Sequence, residues 1–253
     1  MNYDKLKELW KNDEEMSFGG WDFSYLDNRW EGEKLPWDYK TILEKYLKPD
    51  YQLLDMGTGG GEFLLSLNHP HEKTSVTEAW EPNVRLCKEK LSPLGISVYQ
   101  IYDDAELPFE DDSFDMIINR QEAYDVKEVK RILKPNGIFI TQQVGGKNNE
   151  LLSKKLIKTF HPEYSQHNLK CTSVELERNS FEILYKNEYF PKLHFYDVGA
   201  VIYFAKIIVW EFPGFSVENC FNELCEIHKE LEEKSYIESY EHRFIIACRN
   251  GKK

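Results

Sequence analysis

Long apolar runs are missing from this sequence of 253 residues. The most hydrophobic stretch, residues 198–210, is interrupted by Lys206 and falls well short of the ~20 residues a membrane span needs. It reads as a core or lid helix. The amino end is charged from Asp4 onward and has no apolar segment of the signal-peptide kind. Cysteine is present five times, at 87, 171, 220, 225 and 248, but never as C-x-x-C. That spacing excludes a zinc knuckle and a dithiol redox motif, and no metal site is expected. An odd cysteine count without a leader points to a reduced compartment, so the expected location is the cytoplasm. Basic charge is also short. Lys and Arg total 32 against 44 acids, a net charge of -12, and no basic stripe appears. Nucleic-acid affinity comes largely from Lys and Arg neutralising phosphates, so this balance weighs against a nucleic-acid partner. No repeat and no low-complexity tract interrupts the chain.

What is there suits a folded α/β protein. Apolar residues make up 41% of the chain and aromatics 14%, enough for one sizeable core. Residues 3–15 have helical spacing, with Leu6, Leu9 and Trp10 on one side. Residues 16–36 lack periodicity and read as loop. Helical spacing resumes over 37–47 and Pro49 stops it. Strands and helices then alternate, the signature of βαβ units and a mainly parallel sheet. Strands are expected at 51–55, 74–78, 96–101, 114–119 and 138–144. Helices are expected at 62–67 and 82–91, with another ending near 133 ahead of a turn at 134–137. Beyond Gly145-Gly146, read as flexible, the pattern predicts helices at 149–158, 198–210 and 217–234. Strands are predicted at 181–189 and 239–249. Nothing reads as a linker.

The densest motif is Asp55-Met56-Gly57-Thr58-Gly59-Gly60-Gly61, where a strand must turn sharply into a helix. One glycine suffices for a turn. Four imply a backbone that a ligand can approach closely, with amides of the next helix facing it. The dinucleotide fingerprint G-x-G-x-x-G fails in either register: its third position is Glu62 counted from Gly57, and Leu64 counted from Gly59. A nicotinamide enzyme is therefore disfavoured.

The pattern Asp55 to Gly61 resembles the first motif of class I S-adenosylmethionine-dependent methyltransferases, and further blocks follow in the family's order. Glu78 ends the next strand, Asp104-Ala105-Glu106-Leu107-Pro108-Phe109 leads into Asp112-Ser113-Phe114-Asp115, and residues 129–137 are similar to the family's helix-turn before the fifth strand. Asn136 stands where the family more often has Gly, and Asn also tolerates the left-handed conformation. The resemblance covers about residues 40–145 and is nearest to the small-molecule, type 11 branch. It implies a Rossmann-like, doubly wound, mostly parallel sheet with an antiparallel closing strand in a three-layer αβα sandwich. It implies S-adenosylmethionine as cofactor, with S-adenosylhomocysteine as product. The cofactor would meet Asp55, Gly57, Thr58, Gly59, Gly61, Glu78, Ala79, Trp80, Asp104, Ala105 and Asn119. Glu78 would take the ribose hydroxyls, Trp80 would pack on adenine, and Asp104 would receive its amino group. Residues 1–253 are read as one domain: an N-terminal helix and lid-like loop (1–36), a cofactor-binding core (37–146), and a C-terminal part with acceptor-side insertions and the closing strand (147–253).

Open α/β sheets bind ligands beyond the carboxyl ends of their strands. There the sequence places Arg120, Glu122, Tyr124 and Gln143, proposed to line the acceptor pocket as the catalytic set. A buried Arg120 would suit an acidic acceptor. Glu122, Asp125, His161, His167 and His194 are the candidate general bases. Trp21, Trp30 and Trp37 with Arg29, together with Tyr196, Asp197, Tyr203, Trp210, Phe212 and Phe215, could form an aromatic lid or plain core. The N-P-P-Y tetrapeptide of base N-methylation is absent after the strand at 114–119, and no cysteine sits there for covalent cytosine chemistry. The expected activity is methyl transfer to a small-molecule acceptor. The alternatives are an RNA or protein acceptor, or a cofactor-binding protein without turnover.

Overall fold

A computed structural model describes residues 3–19 and 22–251. In chain order the elements are helix α1 (Tyr3–Glu15), strand β1 (Trp30–Gly32), helix α2 (Tyr39–Glu44), strand β2 (Leu53–Met56) and the single-turn helix α3 (Glu62–Leu65). Next come β3 (Thr74–Glu78), α4 (Glu81–Lys90), β4 (Ser97–Gln100), β5 (Phe114–Arg120), α5 (Val126–Ile132) and β6 (Leu133–Val144). The remainder is α6 (Glu150–Leu156), α7 (Leu169–Arg178), β7 (Phe181–Tyr189), β8 (Lys192–Phe195), α8 (Val198–Ile207), α9 (Phe221–Lys234), β9 (Ile237–Tyr240) and β10 (Arg243–Asn250).

These elements group into two compact units. A parallel-sheet unit comprises Pro36–Val144, His167–Glu188 and the described part of Arg243–Lys253. Its seven strands run in the order β4-β3-β2-β5-β6-β10-β7. The pairs from β4 to β6 are parallel, and β10 lies antiparallel against β6. Side chains of a strand alternate between the faces of its sheet, and here the alternation sorts residues into two cores. Leu53, Met116, Ile118, Ile138, Ile140 and Ile245 pack with Leu43, Leu64 and Leu91 from α2, α3 and the end of α4. Leu54, Met56, Ile117, Phe139, Phe244 and Ile246 pack with Val129 and Ile132 of α5 and Leu176 of α7. All four residues of β2 are buried, as expected for a strand covered on both faces. The layers are helix, sheet, helix. Each Leu or Ile so buried contributes about 1.5–3 kcal/mol before entropy is counted.

The other unit takes the described parts of Met1–Leu35, Gly145–Gln166 and Tyr189–His242. Its antiparallel sheet has the order β1-β8-β9. Helix α8 supplies its centre. Eight consecutive residues from Val198 to Ala205 are buried, the all-round burial of a core helix. Asp197 starts that helix by accepting from the Ala200 N–H at 2.8 Å. Trp10, Phe195, Tyr203, Phe204 and Phe212 fill the rest of this core.

Three local readings change. The turn expected at 134–137 survives inside β6: pairing passes from Phe114–Leu133 to Met116–Ile138, with Asn136 at φ +63°. The strand expected at 239–249 breaks at Glu241 and His242, whose N–H groups bond to Pro191 O (2.9 Å) and Asn148 Oδ1 (2.7 Å) instead of a strand partner. Gly145-Gly146, read as flexible, is tightly packed: a Cβ on Gly145 would meet the His242 ring at 2.1 Å. Helix α7, strand β8 and, inside the expected loop at 16–36, strand β1 have no counterpart in the sequence reading. Among the described residues no helix is long and apolar enough to cross a membrane.

Candidate active site

All fifteen predicted site residues fall in the parallel-sheet unit. Strand β2 ends at Met56, and the chain turns through Gly57, Gly59 and Gly61 at φ +67°, +61° and +80°, a region that side chains rarely tolerate. The N–H groups of Gly57 and Thr58 donate to Thr77 O at 3.1 and 3.3 Å, tying the turn to β3. The Glu78 carboxylate, 6% exposed, accepts from Gly59 N (3.0 Å), Ala79 N (3.1 Å) and Trp80 N (3.3 Å). From below, the Cys87 thiol of α4 donates to Gly59 O at 3.0 Å. Burial pushes that thiol up to about 11, so it stays protonated as the donor. The Gly59 peptide is therefore held on both sides. A Cβ on Gly59 would meet nothing within 4 Å, so its open face forms a cradle. Gly57 and Gly61 differ: a Cβ there would strike Glu122 and Leu91 respectively.

Beneath the turn, burial raises the Asp55 carboxyl to about 7, aided by Glu78 and opposed by Thr58 and Arg120. Asn119 at the end of β5 is fully buried. Its Oδ1 accepts from Gln143 Nε2 (2.6 Å) and Thr141 Oγ1 (2.9 Å), and its backbone carbonyl accepts from the Tyr39 hydroxyl (3.0 Å). Gln143 Nε2 also reaches Glu122 O at 3.0 Å and is spent on structure. Arg120 is exposed, with its guanidinium 4.5 Å from the Phe63 ring centre, a cation–π contact. Burial, with Glu78 and Asp104 nearby, raises the Glu122 carboxyl. Asp104 is raised by its own burial, then by Asp103 and Asp125. Trp80 is 52% exposed and Ala105 is exposed. Tyr124 instead packs its ring against Phe139 at 5.0 Å, where burial raises its hydroxyl above the usual tyrosine range.

Of the candidate bases, Asp125 caps α5 through the N–H groups of Lys127 and Glu128. His194 stacks on Tyr236 and bonds Glu238 at 3.1 Å. His167 packs edge-on against Phe244, and His161 is exposed. The aromatic set divides. Trp37 donates to Gln142 Oε1 at 2.8 Å in the parallel-sheet unit. Trp30, Tyr203, Phe212 and Phe215 build or flank the other unit's core, while Trp210 and Tyr196 are exposed. Trp21 lies outside the described residues. Arg29 is engaged by Asp13 and Asp197. Sequence reading missed Tyr39, Thr141 and Cys87 around the site. It also missed Arg131, which binds Leu107 O, Phe109 O, Asp111 and Glu128 and so fixes the 104–115 loop.

A family model for the methyltransferase domain, type 11, matches residues 54–141, the span that holds the glycine turn, Glu78, Asp104 and the polar strand ends. Over these residues the chain is similar to the methyltransferase domain. The chain is similar to sterol 4-C-methyltransferase strm-1 of Caenorhabditis elegans, at 33% identity over 57% of this chain and 48% of that protein. It is also similar to ribosomal protein L11 methyltransferase of Dictyoglomus thermophilum, at 24% identity over 58% of this chain and 48% of that one. The chain thus spans about half the length of the curated relatives it matches. Among solved structures, the YcgJ protein of Bacillus subtilis overlays with a TM-score of 0.56 at 16% identity, covering 84% of this chain and 97% of that one. That likeness is one of fold. The matched span is the middle of the chain; what precedes Leu54 and follows Thr141 adds α2, β10 and β7 to its unit and builds the aromatic unit.

Proposed function

We propose that this chain binds S-adenosylmethionine at the glycine turn and transfers its methyl group to a small-molecule acceptor. The observation that carries this reading is the Gly59 cradle above a Glu78 carboxylate already positioned by three amides. Donor chemistry fits the ligand: an open, left-handed glycine admits a flat contact, and a buried carboxylate at a strand end suits a vicinal diol. Bound there, the cofactor would supply the electrophilic methyl group for in-line displacement. The chain's own contribution is to place and to exclude water. Cys87 and Glu78 fix Gly59, while Arg131 fixes the loop carrying Asp104. Tyr39, Thr141 and Gln143 fix Asn119 and the segment after it. Holding two reactants at attack distance can lower a barrier by ~7–11 kcal/mol without a dedicated base. On the acceptor side, Arg120 at the end of β5 and Glu122 just after it face the substrate, whereas Tyr124 and Gln143 hold the segment that follows the strand.

A small-molecule acceptor is favoured by the sterol-modifying relative and by the acidic balance, which opposes RNA. A protein acceptor, as the name of the second relative would have it, is the other reading. Thermal unfolding with S-adenosylmethionine, S-adenosylhomocysteine and NAD in parallel tests the cofactor. A ligand at 100-fold its Kd adds ~2.7 kcal/mol, a shift of several degrees. Shifts with the two sulfur compounds alone, abolished by Glu78→Ala, are expected; a shift with NAD alone would refute the assignment. Incubation with labelled cofactor and a panel of sterols and ribosomal proteins then separates the two acceptor classes.

A further inference from the structure

Glu122 has a place in this site that its position after a strand does not explain. Its side chain lies directly on the first glycine of the turn, with Cγ, Cβ and Oε2 at 2.5, 2.7 and 2.7 Å from where a Gly57 Cβ would sit. The backbone holds it there. Gln121 adopts φ +62° and its N–H bonds Gln142 O at 2.8 Å, while Glu122 O accepts from Gln143 Nε2. Gln143 is anchored in turn on Asn119 and Thr141. The placement is thus set by the β5–β6 ladder.

Burial and then the carboxyls of Glu78 and Asp104 act against ionisation of Glu122, the Ala123 N–H favours it, and among the described residues no salt bridge joins it to a cation. The nearest cation in the sequence, Arg120, sits over the Phe63 ring and acts on Asp55 and Tyr39. A half-buried carboxylate with like charges near it and no counter-charge is unfavourable, and a ligand carrying positive charge to that spot relieves it. A neutral ligand of the same shape does not.

Resting on the cofactor reading above, we propose that Glu122 is the specificity-determining residue that makes this cleft prefer a sulfonium ligand over the matching neutral thioether. In the transfer reaction the sulfonium is the methyl donor and the thioether is what remains once the methyl group has left with the positive charge. Glu122 thereby favours entry of the donor and release of the spent form.

Calorimetric titration of the full chain at neutral pH tests this with three probes: S-adenosylmethionine, S-adenosylhomocysteine, and the analogue bearing a protonated amine in place of the sulfonium. The unaltered protein is expected to bind both cations more tightly than the thioether. Glu122→Gln is expected to weaken both cations about tenfold and leave the thioether within threefold, while Glu122→Asp keeps most of the preference. An equal loss for all three probes, or an unchanged ratio, overturns the proposal and makes Glu122 a packing residue. Glu78→Ala serves as the control that weakens all three. If the unaltered protein binds none of them, the cofactor reading falls as well, an outcome distinct from a ratio that fails to move. Unfolding curves for each variant, read beside the titrations, show that the binding protein is folded.

Discussion

The two units treat buried charge in opposite ways. In the aromatic unit every carboxylate near the core that carries weight has a partner. Arg29 donates to Asp13 (3.0 Å) and Asp197 (2.6 and 2.9 Å) and lies 4.8 Å from the Tyr25 ring centre. Glu211 accepts from both Asn148 (2.6 Å) and Asn149 (2.8 Å). Glu238, on β9, is held down to about 2 by Tyr240, His194 and Lys192. In the parallel-sheet unit, Asp55, Asp104 and Glu122 are all pushed upward by burial. In the aromatic unit these carboxylates are held by cations, amides and hydroxyls. In the parallel-sheet unit Glu78 and Glu128 are likewise held, but Asp55, Asp104 and Glu122 carry the cost of burial near the glycine turn. Perturbed acids clustered at a cleft are a recognised mark of function, and the contrast within one chain sharpens it.

The largest test of that contrast is Asp55→Asn. Asp55 holds its proton far more tightly folded than unfolded, so its favourable contribution is complete below about pH 4 and is lost as pH rises through about 7. Relative to Asp55→Asn, the unaltered protein should lose on the order of 4 kcal/mol between pH 4 and pH 8. Urea midpoints across that range measure it, and parallel curves for the two proteins would show that Asp55 is not strained. Arg29→Met should act in the other unit: it strands Asp13, 9% exposed, and should cost about 3 kcal/mol at neutral pH. No change in the urea midpoint at pH 7 would show the pair to be ornamental.

Gly59→Ala comes next. The left-handed backbone should cost about 1–2 kcal/mol of stability. The added methyl enters the open cradle, so binding of S-adenosylhomocysteine should be lost while the fold persists. Retained binding would move the ligand elsewhere. The smallest effect is expected for Cys87→Ala, which removes one donor to Gly59 O. About 1 kcal/mol, near a fivefold rise in Kd for the thioether, is the expected change, with Cys87→Ser restoring part of it.

Where structure is decided locally, it was legible from residues. β3 and β7 match their predicted ranges, because both are dense in β-branched or aromatic residues of high strand propensity. The glycine turn was legible because the constraint on φ lies in the residues themselves, and Glu78 because it closes the strand that follows the turn in the order the resemblance implies. Tyr39, Thr141 and Cys87 were not, since each acquires its role only through pairing or docking. Thr141 faces Asn119 because β5 and β6 pair in that register. The break at Glu241 and His242 was hidden because ring-bearing Tyr240, His242 and Phe244 still alternate with charged Glu241 and Arg243 across it, and its cause lies at Pro191 and Asn148, remote in sequence. Helix α7 carries one strong signal, Asn168 capping the Cys171 N–H at 3.0 Å, and a single apolar residue, Leu176, buried in its middle turns. The aromatic residues were identifiable as buried, but only the packed structure distinguishes a lid from a core.

Strand β10 occupies the sixth place in a sheet whose other members are made earlier, and it lies between β6 and β7. During synthesis both neighbours therefore wait, each with an unpaired edge, until residues 243–250 have been added. The intervening hundred or so residues after β6 belong largely to the other unit, which draws on three separated stretches of chain. Neither unit can complete itself as it leaves the ribosome. Non-local closure of this sort is slow and leaves sheet edges open to other chains in the meantime. The timing of the whole sheet thus hangs on the position of one eight-residue strand.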